Sequence, residues 1–99
     1  MKWQSQNVYL RQSVIAMTPY FTQRIESPYG YINFYFNRIY TVDGVRYHIS
    51  CKDVKGRSYA FEVMELVGHW IISHTSKCPL WIKKLEPHFE KAISKSLAK

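Results

Sequence analysis

The sequence predicts an α+β domain: an antiparallel meander of four to five strands with a C-terminal amphipathic helix packed on one face, and a short N-terminal helix as a further element. Three observations carry this. Apolar and polar residues alternate through most of Tyr31 to His74, glycine turn signals cut that block into strand-length pieces, and the last twenty residues change to a helical period.

In the first thirty residues, Asn7 fits the N-cap of a helix over 8–17 in which Leu10, Val14 and Met17 align. Val8 and Leu10 alone also fit a strand. The favoured reading is that helix followed by a strand over 20–26, turned into Tyr31 by Ser27-Pro28-Tyr29-Gly30.

The next strand runs from Tyr31 to Thr41. Ile32, Phe34, Phe36 and Tyr40 share one face and Tyr31, Asn33, Tyr35 and Asn37 the other. Val42-Asp43-Gly44 ends it with a hairpin signal. Val45 to Val54 alternates more cleanly: Val45, Tyr47, Ile49 and Cys51 against Arg46, His48, Ser50 and Lys52. That pattern is a strand buried on one side and wet on the other. Lys55-Gly56 turns the chain into Arg57–Leu66, with Tyr59, Phe61 and Val63 facing the core. Val67-Gly68 turns it again into His69–His74.

A single helix is expected from Pro79 to about 97, because proline suits a first helical turn. Ile82, Leu85, Phe89, Ala92 and Ile93 form its apolar stripe, with Trp81 at the edge; Lys84, His88, Lys91 and Lys95 form a basic stripe beside it. Pro87 falls opposite the apolar stripe, so it is expected to kink the helix without ending it. Trp81, Leu85, Phe89 and Ile93 should then press on Phe34, Ile49, Phe61 and Trp70 or Ile71.

Ninety-nine residues make one domain, 1–99, with one modest core. An apolar fraction of 46% and 16% aromatics exclude a disordered chain. Net charge is +7, and residues 75–99 supply most of it, six lysines against Glu86 and Glu90. Two cysteines are too few for a disulfide framework. No apolar run approaches the ~20 residues of a membrane span, and the first residues show no secretory signal. The expectation is a reduced, soluble, cytoplasmic protein.

Chemistry-bearing constellations are sparse. His48 and Cys51 face opposite sides of a strand, as do His69 and His74; only His74 and Cys78 converge, and two ligands do not make a structural zinc site. There is no glycine-rich phosphate loop. Cys51 lies on an apolar face, and the pairs Glu62/Glu65 and Glu86/Glu90 fit solvated faces better than an acid/base couple. No catalytic residue, cofactor or metal is therefore assigned, and an enzyme is not expected.

Arg57-Ser58-Tyr59-Ala60-Phe61 is similar over five residues to the RNP1 segment of RNA-recognition motifs, with Ser58 where that family has glycine. That fold needs a helix between its third and fourth strands, and Val67-Gly68 supplies a tight turn instead. Tyr59 and Phe61 are accordingly expected beneath the C-terminal helix. The sheet face away from that helix would show Tyr31, Tyr35, Arg46, His48 and Lys52, with Lys84, Lys91 and Lys95 on the helix as accessory cations. A meander followed by a helix is similar to the repeat architecture of the Whirly and PUR single-strand-binding proteins, and stacking aromatics among cations suit that role. Exposed tyrosines on a sheet equally suit a protein interface. The leading expectation is a non-enzymatic interaction module acting through a protein partner or a homodimer; the alternative is single-stranded nucleic-acid binding. Membrane association is not expected, since the helix lacks a broad exposed apolar face.

Overall fold

The computed structural model describes residues 21–97; the predicted helix over 8–17 lies outside them. Five strands, β1 (Phe21–Ser27), β2 (Gly30–Thr41), β3 (Gly44–Lys52), β4 (Ser58–Leu66) and β5 (His69–Ile72), form one antiparallel sheet in chain order. Each strand thus pairs with its sequence neighbour through a short turn, the least demanding way to build a sheet. The boundaries differ from the sequence expectation at the ends. Asp53 and Val54 belong to the β3–β4 turn, and Ser73 and His74 lie beyond β5.

The registers place like residues in rows across the strands. Phe36, Ile49 and Phe61 lie opposite one another on one face, as do Tyr47, Val63 and Ile72 in the next row. Phe34, Phe36, Ile49 and Val63 are fully buried there. Tyr40 has core-face parity but is exposed, because the helices do not reach the end of β2. Its hydroxyl instead accepts a hydrogen bond from Arg38 at 3.3 Å, while the Arg38 Nε donates to Tyr47 Oη at 3.0 Å. Ile71 is not under the helix either: it pairs with Met64 on the other face, and Trp70 is the core residue.

The β4–β5 turn is tight, with Val67 at φ 51 and Gly68 at φ 82. Two consecutive positive φ values match the twist of a hairpin. Glycine tolerates that conformation, whereas a β-branched residue is strained in it.

The C-terminal segment is two helices, not one kinked helix. α1 spans Leu80–Lys83 and α2 spans Glu86–Leu97, with a turn at Lys84-Leu85 between them. Pro87 is the reason. It has no N–H to donate, and its ring would meet the carbonyl of Lys83 in a continuous helix. The Leu85 N–H therefore bonds Ile82 C=O at 2.9 Å, and a new ladder begins with Phe89 N–H to Leu85 C=O at 3.2 Å. Pro87 sits in the first turn of α2, where its missing donor costs little.

α2 closes the core. Phe89 meets the rings of Phe34, Phe61 and Phe36 at centroid distances of 5.0, 5.2 and 6.2 Å. Trp81 packs edge-on against both Tyr29 and Tyr59, each at 5.6 Å. The sheet curls round α2, which packs on β5 and faces β1 across a cleft.

The β5 edge is sealed by α2. Along β5 the backbone groups alternate between β4 and the outside, and Ser73 N–H bonding Glu62 C=O fixes the phase. The outward N–H of Ile72 donates to Glu86 Oε2 at 2.7 Å, and that of Trp70 to Glu90 Oε2 at 3.2 Å. Glu90 also contacts His69 Nδ1 at 3.0 Å. These two carboxylates, one turn apart, are edge caps rather than members of a solvated face.

Candidate functional site

The face of the sheet opposite the helices carries a groove of about 640 Å³. Its wall is β2, where Tyr31 and Tyr35 stand 60% and 42% exposed with Asn33 between them. Its floor is made of small side chains. Tyr35 pairs with Ser50, and Ser50 pairs with Ala60, so the Tyr35 ring borders open space instead of bulky neighbours. Lys52 and the β3–β4 turn close one end.

That turn is built around Asp53. The Oδ1 atom accepts from the backbone N–H of Lys55 and of Arg57, both at 2.9 Å; Oδ2 accepts from Arg57 Nε at 2.8 Å and Tyr59 Oη at 3.2 Å. The Asp53 side chain is 5% exposed. Its burial opposes charge, but the bonds from Arg57 and Lys55 outweigh that and hold the carboxyl below its ordinary range. Gly56, at φ 83, supplies the left-handed step that lets the chain come round. The groove therefore ends against a fixed turn tied to Tyr59 of β4, whose ring packs edge-on against Trp81.

Five of the eight candidate residues lie on this outer face. Tyr31, Tyr35 and Lys52 line the groove; Arg46 and His48 sit further along β3 and are half-buried. Arg46 NH1 is 3.2 Å from Glu62 Oε1, so its charge already has a partner. The other three, Lys84, Lys91 and Lys95, are not part of the same surface. They belong to the helical layer, and Lys84 stands apart from the other two, in the link between α1 and α2. The basic stripe lies on the far side of the sheet from the groove because α2 can bury Phe89 and Ile93 only by taking the core face.

Arg24 is the residue that sequence reasoning passed over. It has outer-face parity on β1 and its guanidinium carbon lies 4.7 Å from the Tyr31 ring centroid, a cation–π contact. It also lines a cleft of about 320 Å³ between β1 and α2, together with His88, Lys91 and Lys95. The signal was available: Arg24 alternates with Ile25 in a strand that the sequence did predict.

Both cysteines are free thiols, Cys51 buried and Cys78 half-buried. Among the described residues, no three His, Cys, Asp or Glu side chains converge as metal ligands would. Among the same residues, no helix is long and apolar enough to cross a membrane. No protein-family model matches the chain, and comparison with curated proteins and with solved structures gives no match either.

Proposed function

We propose that this chain is a non-enzymatic, cytoplasmic binding module that docks a protein partner, a second copy of itself included, on the outer face of its sheet. The observation that carries the reading is the groove: two exposed tyrosines beside a floor of Ser50 and Ala60, large enough for a partner's side chain. Tyrosine is a favoured anchor in protein interfaces because its ring buries much area while few torsions are frozen. Charge supports the same reading. Arg24, Arg46 and Lys52 on this face are offset by Glu26 and Glu62, which leaves a weak field rather than the strong positive one of a polyanion channel.

Self-association is the direct test. Molecular mass across a concentration series is expected to rise for the parent chain and to stay monomeric for Ala60→Arg, which fills the groove floor from an exposed position. Unchanged melting of the variant confirms that only the surface was altered. A parent chain that stays monomeric, but binds random single strands in a salt-sensitive way that Tyr35→Ala weakens, overturns the reading.

That outcome would favour the second reading, single-stranded nucleic-acid binding. The contact that recommends it is Arg24 over Tyr31, with Lys52 lining the same groove as Tyr35. Base stacking on Tyr35 would be worth about 1–3 kcal/mol, and released counterions would make affinity fall steeply with salt.

A further inference from the structure

We infer that the outer edge of β1 is a docking site for an extended acidic segment of a partner protein, added as a sixth strand. The two edges of the sheet are treated differently. The β5 edge is capped by Glu86 and Glu90, as described above, whereas among the described residues no strand or side chain of α2 caps the outward N–H groups of β1.

Which groups point outward follows from the ladders. Ser73 N–H bonding Glu62 C=O sets the phase of β4. Carried through the registers, it assigns Phe21, Gln23 and Ile25 to bonds with β2, and turns the backbone of Thr22, Arg24 and Glu26 away from it. The Arg24 carbonyl already accepts from its neighbour Gln23 Nε2 at 3.2 Å. Natural proteins usually blunt such an edge, and one left open is a template for strand addition.

The chemistry of the occupant is set by the rim. Arg24, His88, Lys91 and Lys95 line the cleft along this edge, and Glu26 is the one carboxylate among the residues that line it. A second copy of β1 would bring Arg24 together with Glu26, no net charge, and residues 1–20 carry Lys2 and Arg11 with no carboxylate. Neither brings net negative charge to the rim. An acidic strand complements it, with its carboxylates at alternate positions reaching Lys91 and Lys95 while its backbone pairs with β1. Arg24 touches both this edge and Tyr31 of the groove, but Lys91 and Lys95 lie on the helical side, away from the groove, so their variants test the edge independently of it.

The test uses the full chain and a labelled synthetic peptide of alternating glutamate and valine, followed by fluorescence anisotropy. Binding is expected, with slowed amide exchange at Thr22, Arg24 and Glu26. Lys91→Glu combined with Lys95→Glu should weaken it about tenfold or more. A peptide of the same charge interrupted by prolines, which cannot form a ladder, should bind much more weakly. Arg24→Pro removes an outward donor without breaking a bond to β2 and should act likewise; the two lysine variants, exposed on α2, keep the test valid should that variant not fold. Absence of binding at low salt, equal binding of the proline-containing peptide, or unchanged exchange at the three amides overturns the proposal. So does a dimer that Arg24→Pro dissolves and Ala60→Arg does not, because a second copy would then hold the edge. A single-stranded oligonucleotide that displaces the peptide and binds more tightly gives the rim to nucleic acid and overturns it too.

Discussion

Cys51 shows how one side chain's surroundings set its reactivity. It lies at the end of β3, 3% exposed, and packs with the apolar core. Burial, followed by the nearby Asp53 carboxylate, pushes its pKa from 9.0 to about 11. The thiolate is the reactive form, so Cys51 is expected to be inert toward alkylating reagents at neutral pH. Cys78 is raised too, chiefly by its own partial burial, but is more accessible. Timed labelling read by mass spectrometry should modify Cys78 first and reach Cys51 only on unfolding; equal rates would refute the burial argument. The same shift makes stability depend on alkaline pH. Below 9.0 both folded and unfolded chains hold the proton. Between 9.0 and about 11 the unfolded chain has lost it and the folded one has not, so stability falls as pH rises. Melting temperature across that window should fall less steeply for Cys51→Ala than for the parent.

At the scale of elements, the sheet depends on α2 for the sealing of β5 as much as for its core. Removing the Glu86 carboxylate leaves the half-buried Ile72 N–H without its acceptor at 2.7 Å. Glu86→Ala is expected to cost about 1–3 kcal/mol, measured by denaturant unfolding, with faster amide exchange at Ile72. Glu86→Gln keeps an oxygen acceptor and should recover part of the loss. None of this was readable in the sequence. Alternation reports which side chains share a face, and that alone places Phe34, Phe36, Ile49 and Phe61 in the core. It says nothing of where an outward backbone N–H finds its acceptor, and Glu86 and Glu90 therefore looked like ordinary surface charges. The break before Pro87 was missed for a related reason. A helical wheel gives an angle, which correctly placed the ring toward solvent, but the ladder to Lys83 is an axial matter. The candidate site divides the same way. Tyr31, Tyr35 and Lys52 were visible by parity, whereas the joining of Lys91 and Lys95 with Arg24 required knowing that α2 reaches the first strand.

For the molecule as a whole, stability converges on one ring. Phe89 is fully buried where Phe34, Phe36 and Phe61 meet, and Leu85, at 6% exposure, packs in the same core. Truncation of such a residue removes its burial and leaves a cavity that a close-packed core fills only in part. Phe89→Ala is expected to cost about 3–5 kcal/mol, and Leu85→Ala about 2–5 kcal/mol. Domains of this size have about 5–15 kcal/mol in total, so Phe89→Ala takes a large share. Lys52→Ala on the open face should stay within about 0.5 kcal/mol of the parent. Reversible urea unfolding, followed by far- and near-ultraviolet circular dichroism together, measures all three. Since one core joins sheet and helices, both signals should be lost in a single transition. A Phe89→Ala chain as stable as the parent would mean that α2 does not cover this face. The outer groove and the β1 edge would then lose their definition together, because each is a surface only by virtue of lying where α2 is not.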